Sequence, residues 1–218
     1  MGRAKEIIVK VIPSKIANEF VKKTHYSGKV VPNSQLHFGC FLDDRLHGVL
    51  SYGPSLNKKG SMNLIKSCGW NDFIELNRMA LDDYLPKYSE SRCIAITIRL
   101  IKKNAPHIKW ILSFADGTQC GDGTIYRASG FFLVNLKKNT SMWYNVSTGE
   151  KMQDMQFYHT MTNKDDNWKK MEGNMLAYIY LIDKTCKITV PILPFSKIDE
   201  MGAGMYKGEK ITMQERKE

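Results

Sequence analysis

The order of strand-like and helix-like segments in the middle of the chain most constrains its fold. Residues 108–114 form a continuous apolar run of strand length, which is typical of a central strand buried on both faces. A strand predicted over 73–81 and a helix over 90–103 precede this run, and a short helix ending at Gly130 and a strand over 131–136 follow it. This order predicts an α/β core in which a helix connects two parallel strands.

The flanking segments predict further strands and an extension of the core. From residue 151 the chain becomes polar and rich in methionine, so we divide it into a core over 1–150 and an extension over 151–218 that packs on the same domain and ends in a basic tail. Pro13 ends the first predicted strand, and Ser14 is a candidate N-cap. A helix is therefore predicted over 14–24. Further strands are predicted over 7–12, 36–42, 46–52, 142–146, 176–182 and 188–193.

Basic residues outnumber acidic ones. The 218 residues include 32 Lys and Arg against 22 Asp and Glu, a formal net charge of +10. Clustered cations gain free energy when they displace the counterions of a polyanion, so this surplus favours nucleic acid as a partner ahead of a membrane surface. In the C-terminal third the lysine pairs 137–138 and 169–170 lie among aromatic residues, a mixture suited to nucleic acid. These aromatic residues are Trp143, Tyr144, Tyr158, Trp168 and Tyr178.

The cysteines argue against two common kinds of small-domain scaffold. Their number is five, which is odd, and no C-x-x-C pair occurs, so neither a disulfide framework nor a standard zinc site is indicated. The sequence shows no secretory leader and no apolar run of the roughly 18 residues that a membrane span needs. We therefore expect a soluble protein of a reducing cytoplasm with no membrane partner. Both a monomer and an oligomer are compatible with these features.

Two polar features in the first half of the chain are candidates for chemistry. His25 and Tyr26 lie in the loop expected after the first helix, where a histidine can act as a base or bind a metal, and the pair can stack on a nucleobase that has left a duplex. Arg78 lies among apolar residues of a predicted strand, where a charge is costly unless it is paired. It either pairs with Glu75 or Asp116, or it holds a phosphate or carboxylate ligand.

Other candidates lie where the core elements begin or end. Asp116 follows the central strand, at the edge where ligands bind in open α/β sheets, and its carboxylate could take a proton from an amine, bind a metal or cap the next loop. Ser91 and Arg92 lie at the start of the helix over 90–103, where N–H groups bind anions, so they are candidate ligands of a donor or its phosphate. For a metal, His25 and Asp116 are the candidates, since the remaining histidines show no ligand spacing.

Together these segments resemble the phage Mom family of DNA adenine modification proteins, which have a GNAT-like acyltransferase fold. The resemblance covers residues 15–136, and it implies an α/β fold with a mixed central sheet flanked by helices and a β-containing C-terminal extension. In the GNAT fold a tyrosine at the position of Tyr126 protonates the departing group. The residues that carry the resemblance are 25–27, 76–78, Ser91, 114–117 and 125–131.

The resemblance also implies an activity and its setting. It implies conversion of adenine in double-stranded DNA to N6-(carbamoylmethyl)adenine, in the cytoplasm of an infected bacterium, which shields phage DNA from host restriction enzymes. Acetyl-coenzyme A and iron have both been suggested for the family. The helix start at residues 86–92 lacks the glycines with which a GNAT loop approaches a pyrophosphate, which argues against tight coenzyme A binding. The positions carried over are His25, Tyr26, Arg78, Ser91, Asp116 and Tyr126.

The atoms of the product suggest a different donor. Replacing a hydrogen by a carbamoylmethyl group adds the same atoms as one glycyl residue, whereas an acetyl donor lacks the nitrogen. We therefore hypothesise that glycyl-tRNA is the donor, and its phosphate-rich body would also suit the +10 charge. Two other functions remain open at this level: a GNAT-like N-acyltransferase that uses acetyl-coenzyme A on a small amine or protein, and a DNA-binding accessory protein without catalytic activity.

Overall fold

The computed structural model describes residues 2–117, 121–160, 166–171, 173–200, 204–206 and 209–211. The helices are α1 (Ser14–Thr24), α2 (Lys58–Met62), α3 (Ser89–Asn104), α4 (Thr124–Ala128), α5 (Asp154–Thr160) and α6 (Ser196–Glu200). The strands are β1 (Ile8–Val11), β2 (Leu36–Leu42), β3 (Arg45–Gly53), β4 (Phe73–Leu81), β5 (Trp110–Asp116), β6 (Phe132–Lys138), β7 (Met142–Asn145), β8 (Lys151–Gln153), β9 (Trp168–Lys170), β10 (Asn174–Leu181), β11 (Gly204–Tyr206) and β12 (Glu209–Ile211).

A seven-stranded mixed sheet has the order β1-β2-β3-β4-β5-β10-β6. The strands β1 to β4 pair with their neighbours in antiparallel fashion, and β4 and β5 pair in parallel from Phe73↔Trp110 to Leu76↔Ser113. Because α3 connects these two parallel strands, the predicted strand–helix–strand unit is confirmed. A three-stranded sheet, β8-β7-β9, and a hairpin of β11 and β12 complete the described strands.

The helix α3 buries one face rather than its whole circumference. Cys93, Ile94, Thr97, Ile98 and Ile101 are buried at the spacing of a single helical face. Residues 95, 99, 102 and 103 are exposed, so the other face of the helix contacts solvent although much of its sequence is apolar. The helix ends as predicted, because the backbone N–H of residue 105 still donates to Ile101 and a proline follows.

The strand β4 contains a bulge that re-aims its polar residues. Across from it, Ser51 pairs with Arg78 and Tyr52 pairs with Leu76, so Asn77 has no counterpart on β3. A bulge adds one residue to one strand and interrupts strict alternation. Side chains on either side of Asn77 therefore do not follow the two-residue period of a regular strand.

The chain divides into two compact units. Unit 1 comprises residues 1–114, 123–134 and 177–194, and unit 2 comprises residues 115–122, 135–176 and 195–218. In unit 1 the core includes the buried Trp110, whose ring stacks on that of Phe73 with centroids 4.3 Å apart. In unit 2, Met152, Phe157 and Trp168 form a separate cluster. The predicted division into 1–150 and 151–218 stays a prediction.

Some expected elements differ in the structure. The strand predicted over 188–193 is replaced by two isolated bridges, Ile65↔Ile188 and Leu133↔Leu193, because prolines at 191 and 194 restrict further pairing. The polar segment after residue 151, for which no element was expected, forms β8, α5 and β9. Of the last 18 residues, which belong to the predicted basic tail, the described parts form the hairpin of β11 and β12. Within the described residues no helix has the length and apolarity to cross a membrane.

Candidate active site

The loop after α1 fixes the ring of His25. Its Nδ1 accepts a hydrogen bond from the backbone N–H of Ser27 at 3.2 Å and lies 2.8 Å from the Ser27 hydroxyl oxygen. Because Nδ1 acts as an acceptor, a neutral His25 carries its proton on Nε2. The ring of Tyr26 lies against it with centroids 4.1 Å apart, and Tyr26 itself is 52% exposed. The loop therefore presents an imidazole N–H beside an accessible phenol ring.

The protonation of His25 is set by its surroundings. Burial, followed by the positive charge of Arg78, lowers the pKa of His25 from 6.5 to about 4. Both causes disfavour the imidazolium form, so His25 is neutral near pH 7. In that state its Nε2–H can donate to a carbonyl or ring nitrogen, and Nδ1 can accept a hydrogen bond from the Ser27 hydroxyl.

Arg78 connects β4 to the loop that carries His25. Its Nε donates to the carbonyl of Lys29 at 3.1 Å, and one terminal nitrogen donates to the carbonyl of Asn77 at 3.2 Å. The sequence placed these segments about fifty positions apart, and the structure brings them together at the bulge of β4. Arg78 thus holds the loop in place, and its charge adds to burial in lowering the pKa of His25.

Glu75 is the carboxylate that pairs electrostatically with Arg78. Burial raises its pKa above the ordinary value, while hydrogen bonds with Ser55 and Asn77 and the charge of Arg78 partly offset that effect. A carboxylate with a raised pKa binds a proton more readily at neutral pH and so suits a general base. From the sequence, Glu75 was predicted only as a possible ion-pair partner of Arg78. The signal in the sequence was a carboxylate three residues before an arginine of the same strand. The bulge at Asn77, which lies between the two residues, could not be predicted from the sequence.

The predicted donor ligands at the start of α3 are engaged by the chain itself. The Ser91 hydroxyl donates to the carbonyl of Tyr88 at 3.3 Å, and Arg92 donates to the carbonyl of Lys5 at 2.8 Å. The residue before the helix, Tyr88, has a left-handed backbone (φ 72°) and is 79% exposed. A non-glycine residue in this conformation is strained by about 1 kcal/mol. A side chain therefore occupies the place where glycine would expose the backbone.

Tyr126 lies on α4 within an aromatic cluster. Its side chain is 6% exposed, and its ring lies 5.3 Å from that of Phe131 and 5.1 Å from that of Tyr178. The cap of α4, Gly123, has φ 73°, and a Cβ there would lie 2.6 Å from the Tyr178 ring. Any residue other than glycine at position 123 would displace that ring. The aromatic cluster therefore fixes where α4 begins. The role of Tyr126 as a general acid stays a prediction.

Asp116 ends β5 in unit 2. Its carboxylate accepts a hydrogen bond from the Asn139 side chain at 3.1 Å. The next residue, Gly117, donates its backbone N–H to Asn174 at 2.7 Å, and a Cβ at Gly117 would lie 2.8 Å from that carbonyl. The end of β5 is therefore closely fitted, and the predicted roles of Asp116 as base or metal ligand stay predictions.

The described residues do not assemble a metal site. No group of three or more His, Cys, Asp or Glu side chains among them is placed to hold an ion. His25 has its Nδ1 turned to Ser27, and Asp116 is bonded to Asn139. As placed, these residues do not provide the set of donor atoms that an iron ion requires.

A cavity of about 230 Å³ lies away from these residues. Its wall includes Asp72 and Trp110, which lie where β4 and β5 begin, so it opens at the amino ends of the parallel strands. Ligands of open α/β sheets bind at the carboxyl ends. We therefore place the candidate site at His25, Tyr26, Glu75 and Arg78 rather than in this cavity.

Comparison with known proteins gives a family and a fold. The Mom protein family matches residues 6–197. Methylcarbamoylase mom of Escherichia phage Mu is 34% identical over 160 residues, which are 73% of this chain and 62% of that protein. The aligned part thus spans less than two thirds of this relative's own length.

Solved structures resemble this chain at low sequence identity. Arabidopsis thaliana NAA60 in complex with a bisubstrate analogue has a TM-score of 0.52 at 10% identity, covering 80% of this chain and 97% of that chain. A GNAT family acetyltransferase from Elizabethkingia anophelis with acetyl-CoA bound has a TM-score of 0.47 at 10% identity, with coverage of 80% and 97%. At such identities the likeness to NAA60 shows the fold alone, and the predicted GNAT-like fold is confirmed.

Proposed function

From the premise that this chain belongs to the Mom protein family, we propose that it is a phage DNA-modification transferase that converts adenine in DNA to N6-(carbamoylmethyl)adenine. The observation that carries the proposal is the cluster of neutral His25, Arg78 and Glu75 beside the exposed ring of Tyr26. Acyl transfer to an amine needs a proton acceptor and a positive group near the developing oxyanion, and this cluster contains both.

We propose an activated glycyl ester, glycyl-tRNA, as the donor. In the first step the adenine N6 attacks the ester carbonyl, the N6–C bond forms, and the C–O bond to the tRNA ribose breaks. The N6 proton leaves to a base and the ribose oxygen gains a proton. In the second step the free glycyl amine attacks C6 of the ring and the original C6–N6 bond breaks. The former N6 becomes the terminal amide, so every atom of the carbamoylmethyl group is accounted for.

The residues take roles that match their surroundings. Arg78 stabilises the oxyanion of the tetrahedral intermediate, and Glu75 accepts the amine proton. The Nε2–H of His25 donates to the carbonyl or to the adenine ring, and Tyr26 stacks on the adenine after it leaves the duplex. Tyr126 protonates the leaving ribose oxygen, Asp116 handles protons of the glycyl amine, and Ser91 and Arg92 contribute to donor binding.

The partners and setting follow from the same proposal. Double-stranded DNA is the substrate and charged tRNA the second partner, and the +10 charge favours both. The modified base would protect phage DNA from restriction in the cytoplasm of the host. Acetyl-coenzyme A is the alternative donor. A GNAT-like N-acyltransferase acting on a small amine or protein with acetyl-coenzyme A is the second candidate function, favoured by the fold.

Nucleoside mass spectrometry tests the reaction. Plasmid DNA from cells that express the protein should contain deoxyadenosine in which a carbamoylmethyl group replaces one hydrogen. The Arg78→Met variant should lose this product, whereas Lys102→Met, which removes an exposed cation from the end of α3, should keep it. Unmodified DNA from folded wild-type protein would contradict the proposal.

Isotope labelling tests the donor separately. Purified protein, duplex DNA and tRNA charged with glycine labelled at both carbons and the nitrogen should yield a product that retains all three labels. Product formed from labelled acetyl-coenzyme A without charged tRNA would reject glycyl-tRNA and retain the modification reaction. Tight coenzyme A binding with transfer to a small amine in the absence of DNA would favour the second candidate.

A further inference from the structure

The three-stranded sheet of unit 2 has two faces of different character. Its register places Trp143 between Met152 and Lys170, and places the next residue, Tyr144, between Lys151 and Lys169. Residues that lie opposite each other on neighbouring strands share a face, and successive residues alternate. One face therefore centres on Trp143 and the other on Tyr144.

The face that centres on Trp143 is covered. The ring of Phe157 from α5 stacks on Trp143 with centroids 4.2 Å apart, and Trp168 lies against Phe157 at 5.4 Å. The cation of this face, Lys170, lies 4.4 Å from the centre of the Trp143 ring and forms an ion pair with Asp154. Both the apolar surface and the charge of this face are thus satisfied within unit 2.

The opposite face, which we call the Tyr144 face, consists of Tyr144, Lys151, Gln153 and Lys169, together with the buried Met142, which lies opposite Gln153. Lys151, Gln153 and Lys169 are exposed and Tyr144 is partly exposed. Among the described residues of the three strands, this face carries no carboxylate, and no ion pair is found for Lys151 or Lys169. On the accessible part of this face, a partly exposed aromatic ring thus lies between two exposed lysines.

The dimensions of the Tyr144 face suit a nucleic-acid backbone. Neighbouring strands lie about 4.8 Å apart, so the two lysines, which are separated by one strand, are roughly 10 Å apart at their Cα atoms. Flexible lysine side chains at that separation can reach phosphates on one stretch of backbone, and an aromatic ring between them can contact a sugar or a base. A net charge of +10 favours such a polyanion over a neutral or cationic partner.

We infer that the Tyr144 face is a docking surface for the phosphate backbone of duplex DNA. This inference rests on the proposed function, in which an adenine leaves the duplex and the rest of the duplex has to be held by other contacts. In the sequence the aromatic residues of this region form a single group. The structure separates Tyr144, which faces outward, from Trp143 and Trp168, which pack within unit 2.

Salt-dependent DNA binding tests the inference. Fluorescence anisotropy would follow a short labelled duplex titrated with the full-length protein between about 0.05 and 0.2 M salt. The Lys151→Gln/Lys169→Gln variant should lower the slope of log affinity against log salt by about 1.8, because each phosphate contact contributes about 0.9. That slope corresponds to an affinity loss of about 30-fold at 0.15 M salt. The Lys151→Arg/Lys169→Arg variant should bind as the wild type does.

A matched control separates a local contact from net charge. Lys102→Gln/Lys103→Gln removes the same charge from exposed positions at the end of α3, and it should change the slope little. An equal loss in this control, or unchanged binding by a folded Lys151→Gln/Lys169→Gln protein, would overturn the inference while leaving the proposed function intact. Loss of tRNA binding with unchanged DNA binding would overturn it as well. Wild-type protein that neither binds nor modifies DNA would overturn both proposals.

Discussion

Protonation of His25 couples the candidate site to the stability of the fold. Its pKa falls from 6.5 to about 4 on folding, first because the ring is partly buried and second because Arg78 is positive. Between these two values the unfolded chain binds a proton that the folded chain does not. The stability that this group contributes is therefore present above pH 6.5 and is lost as the pH falls through about 4.

The size of the effect follows from the shift. One pKa unit corresponds to about 1.4 kcal/mol, so the shift corresponds to about 3.5 kcal/mol at most. Residual contact of the ring with water reduces it, and we expect about 1–2 kcal/mol. Arg78 is the smaller of the two causes, so its removal should restore less than half of the shift and leave the His25 pKa below its ordinary value.

Two measurements check this reasoning. Chemical denaturation at pH 7 and pH 4.5 should show a larger loss of unfolding free energy for the wild type than for His25→Gln, and the difference between the proteins cancels most effects of other groups. NMR of the imidazole nitrogens should show His25 protonated on Nε2 at pH 7, with a pKa near 4 that rises in Arg78→Met. A wild-type pKa of 6 or above, or equal pH dependence in both proteins, would refute the coupling.

Three further changes test other parts of the structure. Glu75→Gln should raise the melting temperature at pH 7 while abolishing the modification, because burial raises the Glu75 pKa and the charged form is disfavoured as the pH rises through it; a lower melting temperature would contradict that burial effect. Gly123→Ala should destabilise the protein more than Gly149→Ala in denaturation experiments, because both have positive φ but only the Cβ at 123 meets the Tyr178 ring; equal losses would show that the ring moves aside. Tyr88→Gly should leave stability within about 0.5 kcal/mol, since relief of strain offsets the entropy of glycine, and calorimetry should show stronger coenzyme A binding if the side chain blocks the backbone; an unchanged affinity would mean that the missing glycine is not the obstacle.

Local sequence patterns predicted the elements that local forces determine. The bounds of β2 and β4 and of the helix after Pro13 agree with their predictions, because alternation and turn residues are properties of neighbouring positions. Ser14 is the first residue of that helix rather than its N-cap, which is Pro13, and no side chain caps the helix. The segment 188–193 shows the limit of this reasoning. Its apolar residues do fit a strand, but the two neighbours that they meet, Ile65 and Leu133, lie on different parts of the chain, so only isolated bridges form.

The candidate site depended more strongly on long-range contacts. The sequence identified His25 and Arg78 as separate candidates, and nothing local showed that Arg78 would donate to Lys29 beside the histidine. Arg92 was predicted as a donor ligand at the start of α3, and nothing local showed that its side chain would also donate to the carbonyl of Lys5 near the N-terminus. A long side chain at a helix end reaches several neighbours, so its direction is decided by packing that the sequence does not reveal.

The bulge in β4 explains how Arg78 can affect the pKa values of both Glu75 and His25. A three-residue spacing on a regular strand directs two side chains to opposite faces, whereas the extra residue Asn77 allows Glu75 and Arg78 to share a side. The positive charge of Arg78 lowers the pKa of Glu75 against the effect of burial, and it lowers the pKa of His25 together with burial. The same cation therefore favours an ionised carboxylate and a neutral imidazole at one pH. On a regular strand Glu75 and Arg78 would lie on opposite faces, and the proton acceptor Glu75 and the neutral N–H donor His25 would need separate electrostatic environments. The bulge allows one cation to act on both groups.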